Sequence, residues 1–251
     1  MSKNVWITGA SSGIGKELAI KFAREGWQVA ASARRENLLK DLNNQNPNIH
    51  PFPLDVNKED EAKNVFQNII GKFKTIDISV FCTGIHDPES EKLLNSKKIR
   101  EIMETNFFGT LNCVMAVNTY FREKKNGHIS IVSSVAGYRG LPAASGYCAS
   151  KSALISLAES LYFDFKRYNV RVSVINPGFI KTPMTDKNKF PMPMIKSAEF
   201  AAEKMFIGLT KKNAFEIHFP KTFTMMMKLL KIMPNWLYFL FVKKGMKTVK
   251  Y

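Results

Sequence analysis

Val5-Trp6-Ile7-Thr8-Gly9-Ala10-Ser11-Ser12-Gly13-Ile14-Gly15 opens the chain with an apolar run, a turn holding three glycines, and the start of a segment from Gly13 to Arg24. In that segment Leu18, Ala19 and Phe22 fall on one helical face. The order predicted is therefore strand, tight turn, helix. Each glycine has a separate task in such a turn. Gly9 permits the sharp reversal, Gly13 lets backbone approach a pyrophosphate, and Gly15 lets the helix pack closely with its N-terminus toward the negative charge. Ser11, Ser12 and Ile14 complete the loop that would face such a ligand.

Outward from this unit, strand-like and helix-like stretches alternate. Gln28 to Ala33, Ile49 to Leu54, Asp77 to Phe81, His128 to Ser133, Val170 to Asn176 and Ala214 to Phe219 read as further strands. Helices are expected near Lys58 to Lys72, Lys97 to Lys124 and Ser145 to Tyr168. This alternation predicts an α/β fold, a Rossmann-type doubly wound parallel sheet of about seven strands with helices on both faces. Ligand should lie across the carboxyl ends of its strands. The 251 residues suit one such domain. It is expected over residues 1–220, with an apolar, basic extension at 221–251.

A second constellation carries chemistry. In Ser145-Gly146-Tyr147-Cys148-Ala149-Ser150-Lys151 the phenol and the ammonium are four residues apart, on one face of a helix. A free tyrosine titrates near ~10, and a neighbouring cation favours its phenolate, moving it toward the range where proton transfer is efficient. Ser134 ends the apolar strand that begins near His128 and is placed to hydrogen-bond the oxygen that Tyr147 would protonate.

These residues, with the glycine turn, Asn106 and Pro177-Gly178-Phe179-Ile180-Lys181-Thr182, resemble the classical short-chain dehydrogenase/reductase family over roughly the first three-quarters of the chain. The resemblance implies hydride transfer between a nicotinamide cofactor and a carbonyl or alcohol. It implies Asn106, Ser134, Tyr147 and Lys151 as the catalytic set, with Ser134 and Tyr147 also contacting substrate. Asn106, Tyr147 and Lys151 would touch the cofactor as well, and Asn106 would bend its helix and orient a water on the proton relay from the lysine. Asp55 and Val56 correspond to the adenine contacts, Gly84 to a close backbone approach, and Pro177, Gly178, Ile180 and Thr182 to the loop beside the nicotinamide. After the second strand the chain reads Ala33-Arg34-Arg35 and not the acidic residue that usually holds a free ribose 2′-hydroxyl. Guanidinium groups there suit a 2′-phosphate, so NADP(H) is the expected cofactor. One departure stands out: Phe81-Cys82-Thr83-Gly84 replaces the family's Asn-Asn-Ala-Gly, removing an asparagine that normally ties the central strands. It reads as a variant brace with the proton-transfer residues intact.

Composition bounds the remaining possibilities. A hydrophobic share of 45% excludes a disordered chain. The first strand begins almost at the N-terminus, leaving no room for a cleavable signal, and a cytoplasmic protein is expected. Cys82, Cys113 and Cys148 have no metal-ligand spacing and fit reduced thiols. No metal site is expected. The net charge of +16 comes without a nucleic-acid motif, so nucleic acid is not an expected partner.

Pro183 to Ile195 holds methionines and Phe190 where the family keeps its substrate lid, which points to an apolar carbonyl or alcohol as substrate. Met225 to Val242 is apolar, aromatic and flanked by lysines, but Pro234 interrupts it. It is too broken to span a bilayer. Either it contacts a membrane surface or it is buried in an oligomer interface. A homodimer or homotetramer is expected. Two functions follow: an NADP(H)-dependent oxidoreductase reducing an apolar or lipid-like ketone or aldehyde, or a non-catalytic NADP(H)-binding sensor or scaffold of the same fold. The intact acid–base set favours the first.

Overall fold

The computed structural model describes residues 3–88, 94–188 and 190–246. Seven strands form one parallel sheet: β1 (Asn4–Thr8), β2 (Gln28–Ser32), β3 (Ile49–Pro51), β4 (Ile78–Phe81), β5 (Gly127–Val132), β6 (Val170–Pro177) and β7 (Glu216–Phe219). Their order is β3-β2-β1-β4-β5-β6-β7. The winding reverses at β1, which pairs with β2 on one side and β4 on the other. A crevice opens at such a point because successive crossovers leave it in opposite directions. The glycine turn lies at its lip.

Side-chain alternation along the strands builds two cores. Val5 and Ile7 face one way, against α1 (Gly13–Arg24), α2 (Glu36–Gln45) and α7 (Ala198–Thr210). Trp6 faces the other way, against α3 (Glu59–Phe73), α5 (Gly109–Lys124) and α6 (Ser145–Lys166). Aromatic edges lock both layers. The Trp6 ring meets Phe66 and Phe81 with centroids 5.5 Å away in each case, and Phe22 meets Phe206 at 4.9 Å. Such pairs add roughly 0.5–1.5 kcal/mol beyond the area they bury.

The expected strands are all present, with β3 shorter than the sequence suggests because Pro51 and Pro53 have no N–H for a ladder. Two helices, α2 and α7, were not expected. The first is mostly polar and buries only Leu39 and Leu42. The second starts at a readable cap, where the Ser197 hydroxyl accepts the Phe200 N–H at 3.2 Å. The long helix expected from Lys97 to Lys124 is broken into α4 (Ser96–Met103), a π-helical turn (Glu104–Phe108) and α5. The lid expected at Pro183 to Ile195 includes a short 3-10 turn, Thr185–Lys187, and its residue 189 lies outside the described residues.

After β7 the chain forms α8 (Lys221–Ile232) and α9 (Asn235–Met246). Phe223, Thr224 and Met227 of α8 are buried against the body of the protein. Tyr238 of α9 is also buried and donates its hydroxyl proton to the Gly140 carbonyl. Arg139 reaches across to the Leu230 carbonyl at 2.6 Å and the Met233 carbonyl at 2.6 Å, and lies 4.0 Å from the Tyr238 ring centre. A cation at the C-terminal carbonyls of α8 complements the helix dipole and fixes the corner. Among the described residues no helix is long and apolar enough to cross a membrane.

Candidate active site

The glycine turn has the geometry its sequence demands. Gly9 and Gly13 have φ of 69° and 56°, a region costly for any residue with a Cβ. A Cβ on Gly9 would come within 2.9 Å of the Cys82 carbonyl, and one on Gly15 within 2.4 Å of the Gly9 carbonyl. The helix thus seats directly on the turn. Ser12, its N-cap, makes no side-chain cap bond, and the first turn of α1 carries no acid. Its amide groups are left to an anion.

A cleft of about 410 Å³ runs over this turn. Its walls include every expected cofactor residue: Gly9, Ser11, Ser12, Gly13, Ile14 and Gly15 at one end, Arg34, Arg35, Asp55, Val56 and Gly84 along it, and Tyr147, Lys151, Pro177, Gly178, Ile180 and Thr182 at the other, with the exception of Asn106. Arg35 donates to the hydroxyls of Ser11 at 2.9 Å and Ser12 at 3.0 Å, which ties the end of β2 to the glycine turn. Arg34 is exposed beside it. Asp55 is the carboxylate in the lining, its backbone N–H held by Glu61 at 2.8 Å.

Lys151 is buried beneath the cleft. Its Nζ donates to the Val132 carbonyl at 3.0 Å, and its own carbonyl accepts from the Ser133 hydroxyl at 2.7 Å. Burial lowers its pKa from 10.5 to about 8, against the opposing pull of Cys82. The Nζ is 5.7 Å from the centre of the Tyr147 ring. Gly84 lies close by: a Cβ there would sit 3.4 Å from the Lys151 Nζ. Ser134 has extended backbone and caps a 3-10 turn, Val135–Gly137, its hydroxyl accepting the Ala136 N–H at 3.1 Å. That use of a lone pair leaves the hydroxyl proton available for donation.

Asn106, fully buried in the π-turn, holds the loop after β4. Its Oδ1 accepts the Ile85 N–H at 2.7 Å, while its Nδ2 donates to the Ile85 carbonyl and the Ser150 hydroxyl, each at 3.0 Å. The amide is thereby a clamp between the crevice and α6. At Cys82 a different tie replaces the missing asparagine: its N–H donates to the Thr8 hydroxyl at 3.1 Å, joining the ends of β4 and β1. Burial pushes the Cys82 thiol up to about 11 despite the Lys151 charge.

A second cavity, about 270 Å³ and largely apolar, meets the first at Ser134, Tyr147, Gly178, Met184 and Thr185. Leu141, Phe179, Phe190, Phe223 and Met227 form much of its wall. Several contributors were not foreseen. His86 packs its ring 4.4 Å from that of Tyr147, with nothing in the sequence around it to announce the contact. Phe223 and Met227 come from α8, and a Cβ on Gly178 would lie 2.7 Å from the Phe223 ring. Their i, i+4 spacing signals a helix face but not where that face would dock. Lys228, on the same helix, is anchored to Glu216, which also accepts from Asn176 at 2.7 Å and from the Tyr138 hydroxyl. Burial alone would raise the Glu216 pKa, but these donors outweigh it and hold the carboxyl below its ordinary range.

A nucleotide-shaped crevice at the sheet's reversal, with a buried lysine beside a tyrosine and a serine, defines a dehydrogenase-like α/β protein. A sequence profile described as short chain dehydrogenase matches residues 3–191, and the chain belongs to that family of oxidoreductases. An uncharacterized oxidoreductase of Myxococcus xanthus is 35% identical over 236 residues, covering 92% of this chain and 93% of its own. A 3-oxoacyl-acyl-carrier-protein reductase of Thermotoga maritima is 34% identical over 185 residues, covering 72% and 75%. Among solved structures, a short chain dehydrogenase from Burkholderia cenocepacia in complex with NADP has a TM-score of 0.83 at 23% identity, covering 95% of this chain and 97% of that one. ElxO with NADP bound has a TM-score of 0.76 at 25% identity, covering 87% and 98%. Oxidoreductases of this family act on CH–OH groups.

Proposed function

We propose that this protein is an NADP(H)-dependent reductase of apolar ketones or aldehydes, working as a cytoplasmic homodimer or homotetramer. The observation that carries the reading is the junction of a polar, dinucleotide-sized cleft with an apolar pocket at Ser134 and Tyr147. The cleft suits the cofactor: two glycines with positive φ, an uncapped helix N-terminus for the pyrophosphate, and Arg34 and Arg35 for a 2′-phosphate. NADP is named in the structures of ElxO and of the Burkholderia protein, and the Thermotoga relative is named as a 3-oxoacyl-acyl-carrier-protein reductase.

When bound, the nicotinamide supplies or accepts the hydride. The chain's own residues manage the oxygen. Ser134 donates its hydroxyl proton in a hydrogen bond to the carbonyl oxygen, and Tyr147 transfers a proton to it. The Lys151 ammonium lowers the cost of the phenolate left behind. Asn106 holds the loop and α6 in register so that these groups converge. Leu141, Phe179, Phe190, Phe223 and Met227 offer the substrate's remainder an apolar environment with few polar groups to satisfy.

The test is NADPH oxidation by purified protein against ketones and aldehydes of increasing chain length. Tyr147→Phe should lower turnover by roughly 10²–10⁴-fold, while NADPH binding stays within a few-fold because the ring remains. Near-normal turnover by that variant would overturn the mechanism. Tight NADPH binding with no turnover on any carbonyl would instead support the sensor.

A further inference from the structure

The two helices after β7 bury one side and leave the other bare. On α8, Phe223, Thr224 and Met227 face inward, whereas Met225, Leu229 and Ile232, at helical spacing of four and three, are exposed together with Met226. On α9, Tyr238 is buried while Trp236, Phe239, Leu240 and Phe241 are exposed, Trp236 at 70%. Large apolar side chains concentrated in one short segment of a protein surface mark something that covers them. The accompanying charge identifies it. The last 31 residues hold seven lysines and no aspartate or glutamate. Lys231 and Lys243 are exposed, the Lys231 ammonium 6.0 Å from the Tyr138 ring centre at the edge of the face, and Lys228 has its charge occupied by Glu216.

We propose that the α8–α9 face docks on an anionic lipid surface. Aromatic side chains suit the boundary between acyl chains and headgroups, and the lysine stems can lie along apolar surface with their ammonium groups among phosphates. A second copy of this chain is a poorer occupant. In a two-fold interface the same patch meets itself, which would set lysines against lysines with no acid in the segment to balance them. The docking has a consequence for the pocket, one that rests on the apolar-carbonyl reading. Phe223 and Met227 line the apolar cavity from the inner side of the same helix whose outer side carries Met225 and Leu229. A single helix, about 10 Å across, then separates the pocket from the lipid, so a membrane-dissolved carbonyl compound is the class of substrate favoured.

The experiment is co-sedimentation of the full chain with vesicles of phosphatidylcholine alone and of phosphatidylcholine mixed with phosphatidylserine, at low and high salt. Binding is expected to the mixed vesicles and to weaken with salt as the charges are screened. Trp6 and Trp27 are buried, so a blue shift of tryptophan emission on binding should come from Trp236 and vanish in Trp236→Phe. Lys231→Glu with Lys243→Glu should weaken partitioning by at least on the order of tenfold. Leu229→Gln, Ile232→Gln and Phe239→Gln together should abolish it. Absence of sedimentation of the unmodified chain with mixed vesicles at low salt overturns the proposal. So does a fall in solution mass in the apolar triple variant, measured by light scattering, since the face would then be covered by another copy. Reduction of a small water-soluble carbonyl by the same preparations is a separate readout: its failure counts against the reductase, not against the docking.

Discussion

Replacing Lys151 with methionine should produce a protein that is inactive and whose relative stability depends on pH in a defined way. Burial lowers the lysine from 10.5 to about 8, and each unit corresponds to about 1.4 kcal/mol. Below pH 8 the folded chain therefore bears a cost of about 3 kcal/mol for keeping the ammonium. Methionine removes that cost but also loses the hydrogen bond to the Val132 carbonyl, worth roughly 1.5–3 kcal/mol for a charged donor. The two nearly offset at pH 7, so the variant should be as stable as the parent or slightly more so. Between about pH 8 and 10.5 the unfolded chain still holds the proton that the folded chain has lost, and the parent gains stability across that window. Cys82, held up at about 11, stays mostly neutral through pH 10. The difference between parent and variant should thus move by about 2–3 kcal/mol in the parent's favour from pH 7 to 10, on the order of 5–10 °C in relative melting temperature. Thermal unfolding of both proteins at four or more pH values is the assay. A difference that stays flat from pH 7 to 10 would refute the assignment of a buried, perturbed ammonium.

Other outcomes follow from the same geometry. Arg34→Asp should weaken NADPH relative to NADH by at least roughly tenfold, because a carboxylate would stand where we propose that a guanidinium meets the 2′-phosphate; titration of both cofactors by fluorescence checks it, and equal affinities in the unmodified protein would sink the role of Arg34. Glu216→Ala should cost about 1–3 kcal/mol by leaving Tyr138, Asn176 and Lys228 without their shared acceptor, read as a lower midpoint in urea. Phe223→Ala should lower stability by about 3–5 kcal/mol and raise KM for long-chain carbonyls more than for short ones, since it opens the wall of the apolar pocket; identical KM changes for both would argue that the pocket is not the substrate's.

The sheet was legible because most of its strands are short, largely apolar runs bounded by turn residues, and because the glycine turn, the Tyr147–Lys151 spacing and Ser134 have chemistry that depends on local order. What escaped reading depends on distance in the chain. His86 and Tyr147 are far apart in the chain yet their rings meet, and no periodicity records that approach. The same holds for Phe223 on Gly178 and for Tyr238 on Gly140. Helix α2 was missed for a local reason: with only Leu39 and Leu42 buried, its apolar stripe is too thin to stand out. The brace at Cys82 was half legible. The loss of the asparagine was evident, but the Thr8 hydroxyl that takes over is ordinary in sequence and acquires its role only when β1 and β4 are neighbours.

The π-turn at Glu104–Phe108 gives this helix one place where its length can change without a change of phase. A π-turn accommodates one residue more than an α-helix would over the same rise, so deleting a single residue there would let the helix close into regular α geometry with the helices on either side still in phase. A deletion early in α5 has no such reserve, and everything downstream of it would rotate by about 100°. Cys113, Val117 and Phe121 would then swing away from the core they fill. A one-residue deletion within the π-turn therefore threatens the placement of Asn106 and spares the layer, whereas one within α5 disturbs the packing of the whole layer.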